Sequence, residues 1–296
     1  MIRAKDVSLD LFEPIKINHK ERIDTIRRRY GHNTSSHAFS SLYLWQDKTN
    51  IYLRDDLLCV KLKGNELNYF FPCGGTESKL EFITGVMDHE KVSFRYMQKE
   101  DVLFLKEHFP GSFSFHNTRE DWEYIYDRDE QVRVEGASFK HLRGKIHRGR
   151  NARNWKVVKL SKANVNIAGE IAYRWNDENK NKGVSDIKAT LYALEYFNEL
   201  NLSGILLMEN KKAYGFALGT AITEDTYDLH ISKTLESDID CYLKWELYRQ
   251  LPDNINYINR EEDLGIIGLR IHKTEMKPVR FHELYRGTMR QIDSLR

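Results

Sequence analysis

The densest group of side chains able to do chemistry is the run Asn259-Arg260-Glu261-Glu262-Asp263-Leu264-Gly265. Arg260 could clamp a carboxylate or a phosphate through its forked N–H donors, with Asn259 beside it. Glu261, Glu262 or Asp263 could take a proton from an attacking amine, provided burial lifts its pKa toward the working pH. The same letters also spell a helix start, a polar cap followed by acidic first-turn residues, which requires no catalysis. His230 stands between Leu229 and Ile231. Strand alternation places it on the face of Asp228 and Ser232, opposite the two apolar residues. There it either lines a cleft or serves as a hydrogen-bonded structural histidine. His272 and Lys273 end a predicted helix and suit its C-terminal dipole, and Lys273 could also face an anionic substrate. The catalytic candidates are therefore Asp263, Glu262, Glu261 and His230. The substrate-binding candidates are Asn259, Arg260 and Lys273.

A second feature is electrostatic. From Gly136 to Gly169 there are nine lysines and arginines and no acidic residue, with His141 and His147 adding charge when protonated. The 296-residue chain carries only +2 overall, so 37 basic residues face 44 acidic ones elsewhere, a net −7. Such a segment either meets a phosphate-rich partner, a tRNA stem or an anionic headgroup, or is a solvated surface helix. It has too few bulky apolar residues for a helix sunk in a membrane surface, which leaves at most a peripheral contact.

Other chemistries find no support. No Gly-x-Gly-x-x-Gly follows a strand, and there is no phosphate-binding Gly-x-x-x-x-Gly-Lys-Ser/Thr loop and no Gly-x-Ser-x-Gly elbow. The eleven histidines form no His-Glu-x-x-His motif and no tight His/Cys cluster, so no metal is expected. Cys59, Cys73 and Cys241 are odd in number and widely spaced, as suits a reducing cytoplasm. No secretory h-region appears at the start, and no aliphatic run approaches the ~20 residues of a membrane span. A cytoplasmic protein with 41% hydrophobic and 30% charged residues is expected.

The elements that must position these residues occur twice. Strand-like runs at Ile51–Arg54, Leu57–Leu62 and Leu67–Pro72 are separated by turn residues, and Gly204–Glu209, Ala213–Thr220 and Thr226–Ser232 repeat the pattern. Each meander leads through a Glu-Ser pair into a helix, Lys79–Met87 in one copy and Asp238–Leu251 in the other. A strand follows (Val92–Met97; Ile255–Ile258), then a helix (Lys99–His108; Glu261–Lys273), then a closing strand (Ser112–His116; Pro278–Leu284). A helix precedes each meander, at Ser40–Trp45 and Lys188–Leu200. The predicted domains are 1–135 and 136–296, the second opening with the basic segment 136–169. The acidic run 117–135 is expected to bridge them.

This order of elements resembles the Gcn5-related N-acetyltransferase fold, an α+β architecture with a mixed, mostly antiparallel sheet flanked by helices. Two copies in one chain resemble the Fem-type aminoacyltransferases and the C-terminal domain of phosphatidylglycerol lysyltransferase. Four local words are similar to a bacterial family grouped with that domain: Leu42-Tyr43-Leu44-Trp45, Tyr69-Phe70-Phe71-Pro72, Lys145-Ile146-His147-Arg148-Gly149-Arg150-Asn151, and Asn259 to Gly265. The resemblance spans nearly the whole chain. It implies that Asn259–Gly265 flanks the acceptor cleft and that Lys145, His147, Arg150 and Asn151 form a phosphate-binding group. It also implies acyl or aminoacyl transfer to an amine or hydroxyl, with acyl-CoA or aminoacyl-tRNA as co-substrate and no bound cofactor. The alternative is an inactive module that binds nucleic acid or a phosphorylated ligand through its basic segment.

One departure bears on the donor. Acetyltransferases cradle the pyrophosphate of coenzyme A on a glycine-rich loop at a helix N-terminus. Here the second copy reads Ser232-Lys233-Thr234-Leu235-Glu236-Ser237-Asp238, with no glycine and two acids. In the first copy Gly74 and Gly75 do not have the required spacing. Acetyl-coenzyme A is therefore disfavoured, whereas aminoacyl-tRNA, the donor the Fem resemblance implies, escapes the objection. The absence of a membrane-spanning segment predicts a catalytic half acting on a soluble or peripheral acceptor.

Overall fold

The computed structural model describes residues 11–64, 67–88, 91–180 and 186–290. The chain forms two compact units that divide at Glu123/Tyr124 and again at Phe281/His282. The first boundary thus falls before the expected 135/136, and the residues from His282 belong to the first unit rather than the second.

The first unit begins with helices α1 (Lys20–Arg29) and α2 (Phe39–Leu44). Strands β1 (Thr49–Arg54), β2 (Leu57–Leu62) and β3 (Asn68–Phe70) follow as the expected meander. Then come α3 (Thr76–Met87), β4 (Ser93–Met97), α4 (Lys99–His108) and β5 (Phe113–Asn117). Its core is aromatic: Tyr69, Phe71, Phe82 and Phe94 are buried and meet largely edge to face. Each such ring contributes about 1.5–3 kcal/mol by leaving water.

The second unit starts earlier than the sequence suggests. The run taken for an acidic bridge holds β6 (Glu123–Asp127), in which Tyr124, Ile125 and Tyr126 are all buried, and α5 (Arg128–Arg133). The basic segment supplies α6 (Lys140–Asn151), β7 (Lys156–Lys159) and the start of α7 (Val165–Glu178). Helix α8 (Ile187–Glu195) precedes the second meander, β8 (Ser203–Glu209), β9 (Lys212–Ala221) and β10 (Thr226–Thr234). The chain continues through α9 (Asp240–Arg249), β11 (Tyr257–Asn259), α10 (Ile267–Glu275) and β12 (Arg280–His282) to β13 (Tyr285–Met289). The sheet runs β12-β6-β11-β10-β9-β8-β7. Alternate residues Ile205, Leu207 and Ala217 share one core with Leu243 and Leu247 of α9 and Leu142 and Ile146 of α6. Helix α7 packs against β9 and β10 and against α8.

Two expectations fail at the C-terminal end. The helix expected from Glu261 starts only at Ile267, and Glu261, Leu264 and Gly265 take left-handed backbone. The Asn259 and Asp263 side chains accept the N–H groups two residues on, at 2.8 and 2.9 Å. Such local bonds compete with helix formation. The closing strand expected over Pro278–Leu284 is only β12, and a further strand not foreseen, β13, follows it. β12 stays beside β6, while β13 enters the first unit's sheet between β4 and β5, in the order β1-β2-β3-β4-β13-β5. Among the described residues no helix is long and apolar enough to cross a membrane.

Candidate functional site

Two irregularities of the second sheet build the site. On β10, Asp228 pairs with Thr220 and Ile231 with Leu218, so Leu229 and His230 together oppose Gly219. This is a bulge, and it re-aims the strand. Gly219 is required there, because a Cβ would lie 1.9 Å from the Asp228 carbonyl oxygen. The second irregularity is a parting of strands. Parallel β10 and β11 pair from Thr226↔Tyr257 to Asp228↔Asn259, after which β11 ends and β10 runs on to Thr234. Asp228, His230 and Glu261 meet at that opening.

His230 Nδ1 lies 3.1 Å from Glu261 Oε1 and 3.5 Å from Asp228 Oδ2. The Asp228 and His230 side chains are buried, and that of Glu261 is 27% exposed. Burial alone would lower the imidazole pKa, but the Asp228 and Glu261 carboxylates outweigh it and hold the pKa above the ordinary value. His230 Nε2 is buried and has no hydrogen-bond partner among the described residues. An imidazole whose Nδ1 is fixed by carboxylates and whose Nε2 is unengaged can accept a proton and return it. The same three side chains also form a donor set suited to a cation, their ligand atoms lying within 4.8 Å of one another. Asp228 is absent from the sequence-derived candidates, although alternation already placed it on the face of His230.

The remaining residues of the run frame this group. Asp263 is fully buried and accepts both Arg270 Nε and Nη2 at 2.9 Å, the Tyr124 hydroxyl at 2.7 Å and the Gly265 N–H at 2.9 Å. Burial would raise its pKa, but Arg270 and Tyr124 more than offset this and hold it below the usual range. That environment suits a fixed anion rather than a base. Lys273 is buried and donates to the carbonyls of Arg260, of Glu262 at 2.7 Å and of Glu261 at 3.2 Å. Burial and the neighbouring Arg260 push its pKa down to about 8. It pins the loop from inside instead of facing solvent. Buried Arg260 lies over the Tyr126 ring, 5.5 Å from the centroid. Its Nη1 has no hydrogen-bond partner among the described residues. Asn259 is buried in the strand end. Tyr124 and Tyr126 were not foreseen, because their strand was read as a bridge.

The first unit has a cavity of about 580 Å³ lined by His32, Lys79, Asp101 and Phe104 among others. There burial holds His32 well below the ordinary histidine range. At the N-terminus of α3, Asp56 accepts the Gly75 N–H at 3.2 Å, Ser78 Oγ at 2.7 Å and the Tyr30 hydroxyl at 2.6 Å. In the second unit the first turn of α9 carries half-buried Asp240, whose Oδ1 lies 2.6 Å from Lys244 Nζ.

The phosphate-binding group expected on α6 does not gather in one place. Lys145 pairs with Glu275 of α10 at 2.7 Å. His147 and Asn151 lie one turn apart and within 3.2 Å of each other, exposed together with Arg148 and Arg150. Gly149 faces the start of α9, where a Cβ would sit 2.8 Å from the Asp238 carbonyl just before the helix and 2.9 Å from the Tyr242 Cβ within it.

A meander, a helix, a strand parallel to the meander's third strand and a second helix, present in both units, give the order of a tandem Gcn5-related N-acetyltransferase-like fold. Residues 27–287 match the family described as phosphatidylglycerol lysyltransferase, C-terminal, and the chain belongs to that family. It is similar to a conserved protein of unknown function from Bacteroides thetaiotaomicron VPI-5482, at 26% identity and TM-score 0.86, covering 94% of this chain and 99% of that one. L-PGS from Bacillus licheniformis aligns at 16% identity and TM-score 0.66, over 96% and 94% of the two chains. FemX aligns at 7% and 0.61, over 93% and 96%. Among curated proteins none matches the sequence.

Proposed function

We propose that the chain is an aminoacyltransferase that moves an aminoacyl group from an aminoacyl-tRNA to an amine or hydroxyl, with His230 as proton acceptor. The observation that carries this reading is the buried imidazole held by two carboxylates where β10 and β11 part. The acceptor nitrogen or oxygen attacks the ester carbonyl while its proton passes to His230 Nε2. An amide or ester bond forms, the bond to the ribose oxygen breaks, and that oxygen takes the proton from His230. Glu261 and Asp228 stabilise the imidazolium between the two transfers. Backbone N–H groups of β10 beyond Asp228, no longer paired with β11, are the donors for the oxyanion. Asp263 and Lys273 act by positioning the loop of Glu261 and Glu262, and Arg260, whose buried Nη1 has no partner among the described residues, is the guanidinium assigned to an anionic substrate group.

Membership of the lysyltransferase family and the fold shared with FemX support an aminoacyl rather than an acetyl donor. So do Asp56 at the start of α3 and Asp240 at the start of α9, negative charges where a pyrophosphate would need N–H donors. The exposed face of α6 with His147, Arg148, Arg150 and Asn151 suits a tRNA backbone.

Thermal unfolding titrated with acetyl-coenzyme A and then with aminoacylated tRNA separates the donors. A ligand at ~100 times its Kd adds ~2.7 kcal/mol to the folded state. Stabilisation by charged tRNA together with transfer of a labelled aminoacyl group is the expected result. Saturable stabilisation by acetyl-coenzyme A would replace the donor. Binding of tRNA without any transfer would instead favour a non-catalytic module acting through the basic segment.

A further inference from the structure

The cavity of about 580 Å³ in the first unit takes no part in the transfer chemistry. One face of α4 lines it, since Glu100, Leu103, Phe104 and Glu107 recur at helical spacing. Asp101 of the same helix, Lys79 of α3 and His32 complete the wall.

Two polar groups there lack the partners that their surroundings demand. The His32 side chain is 3% exposed, and its Nδ1 is buried with no hydrogen-bond partner among the described residues. Burial holds the ring neutral, with a pKa well below the ordinary value. Nε2 faces Asp101 Oδ1 at 3.7 Å, so the single ring proton belongs on Nε2 and Nδ1 is left as an acceptor. Lys79 is the second case. Its ammonium lies 4.2 Å from the centre of the Phe104 ring and 5.6 Å from that of Phe71. Burial lowers its pKa, and the Asp101 carboxylate offsets part of this from across a gap, without forming an ion pair with it. Asp101 also has a structural task, since its Oδ2 accepts the Gln98 N–H at 2.8 Å and caps α4. Its Oδ1 is the atom turned to His32.

Charge decides what fits between them. Lys79 shares the cavity with three carboxylates, Glu100, Asp101 and Glu107, so a plain anion meets net negative charge. A plain amine leaves the Lys79 ammonium without a counter-ion. A small ligand that carries a carboxylate and an ammonium side by side satisfies Lys79, Asp101 and His32 together.

We infer that this cavity is a ligand site of the first unit and takes a free α-amino acid as its zwitterion. The α-carboxylate meets Lys79 Nζ, and the α-ammonium donates to His32 Nδ1 beside the Asp101 carboxylate. The side chain lies along Phe104 and the exposed Leu103. The inference concerns binding in the first unit and does not rest on the transfer assigned to His230.

The test is isothermal titration of the full chain, without tRNA or acceptor, against L-leucine and L-phenylalanine. Isoamylamine, N-acetyl-L-leucine and inorganic phosphate, which each carry only one sign of charge, are titrated beside them. Saturable binding of a free amino acid at millimolar concentration or below is expected, with each single-charge compound weaker by roughly tenfold or more. Lys79→Met keeps an unbranched stem over the rings and should weaken the amino acid by roughly tenfold or more. His32→Phe should do the same, and His230→Gln should leave binding unchanged. Unchanged thermal unfolding verifies that Lys79→Met folds, and that variant carries the test if His32→Phe does not fold. Failure of both amino acids to bind the wild-type chain would overturn the inference. So would binding that ignores Lys79→Met and is lost in His230→Gln, because the amino acid would then occupy the transfer site. Equal binding of N-acetyl-L-leucine or phosphate would overturn it as well, by showing a site for anions alone. Aminoacyl transfer by Lys79→Met, assayed with no free amino acid added, should match wild type, so the two readings fail separately.

Discussion

His230 shows how two environments compete for one proton. Burial favours the neutral ring, and the Asp228 and Glu261 carboxylates favour the charged one and win. A base must be neutral to act, so kcat/KM should rise with pH through a midpoint above the ordinary 6.5 of histidine. Glu261→Gln removes one carboxylate and should move that midpoint down, which a pH–rate profile reads directly. A profile unmoved by Glu261→Gln would detach the carboxylate from the mechanism. His230→Gln should lower kcat by roughly 10²–10⁴-fold. The same residue has a stability signature. A raised folded-state pKa contributes stability that is fully present below about 6.5 and lost as pH rises through the folded value. The gap in Tm between wild type and His230→Gln should therefore narrow above about pH 6.5.

At the scale of elements, the site is made by departures from regular structure. The bulge opposite Gly219 turns β10, and the end of β11 at Asn259 opens the sheet. The loop from Arg260 to Ile266 replaces the helical turn that its composition suggests, because Asn259 and Asp263 satisfy backbone N–H groups locally. Lys273 then supplies donors to three carbonyls that no helix serves. Lys273→Met keeps the length of the side chain and removes the ammonium donors from those carbonyls, of which only Glu261's keeps the Tyr124 N–H. It should cost ~3 kcal/mol, measured by denaturant unfolding. If the loop's carbonyls find water instead, the cost will fall below ~1 kcal/mol.

Across the whole molecule, the C-terminal strand crosses between units. β13 leaves the second unit's chain and fills the gap between β4 and β5, pairing Tyr285 with both Met97 and Asn117. A chain ending at Leu284 would leave two facing strand edges of the first unit unpaired. Hydrogen exchange should then show β4 and β5 losing protection while β8, β9 and β10 keep theirs. Retained protection in β4 and β5 would mean that the two strands can close on each other. The basic segment also belongs to this scale, since its charge is balanced by the rest of the chain and concentrated on α6, β7 and the start of α7.

The amino-acid sequence by itself determined the elements whose signals are local. Both meanders and α4 lie where alternation and turn residues place them, whereas α3 already includes Glu77 and Ser78 and α9 starts at Asp240, behind Ile239 rather than a serine cap. It also determined that His230 and Asp228 share a face. What it could not decide was pairing between distant segments. Glu123-Tyr124-Ile125-Tyr126-Asp127 sits among acidic residues and resembles a linker until β11 and β12 bury it as β6. Tyr285–Met289 has no local signal that sends it to β4 and β5. The meeting of Asp228, His230 and Glu261 depends on a bulge and on a strand that stops early, and Asp263 and Lys273 became framework because their partners lie in β6 and the loop. Local patterns carry the energies of turns and caps. Strand partners and buried ion pairs are chosen by free edges and unsatisfied charges elsewhere in the chain, and only the tertiary structure brings those together.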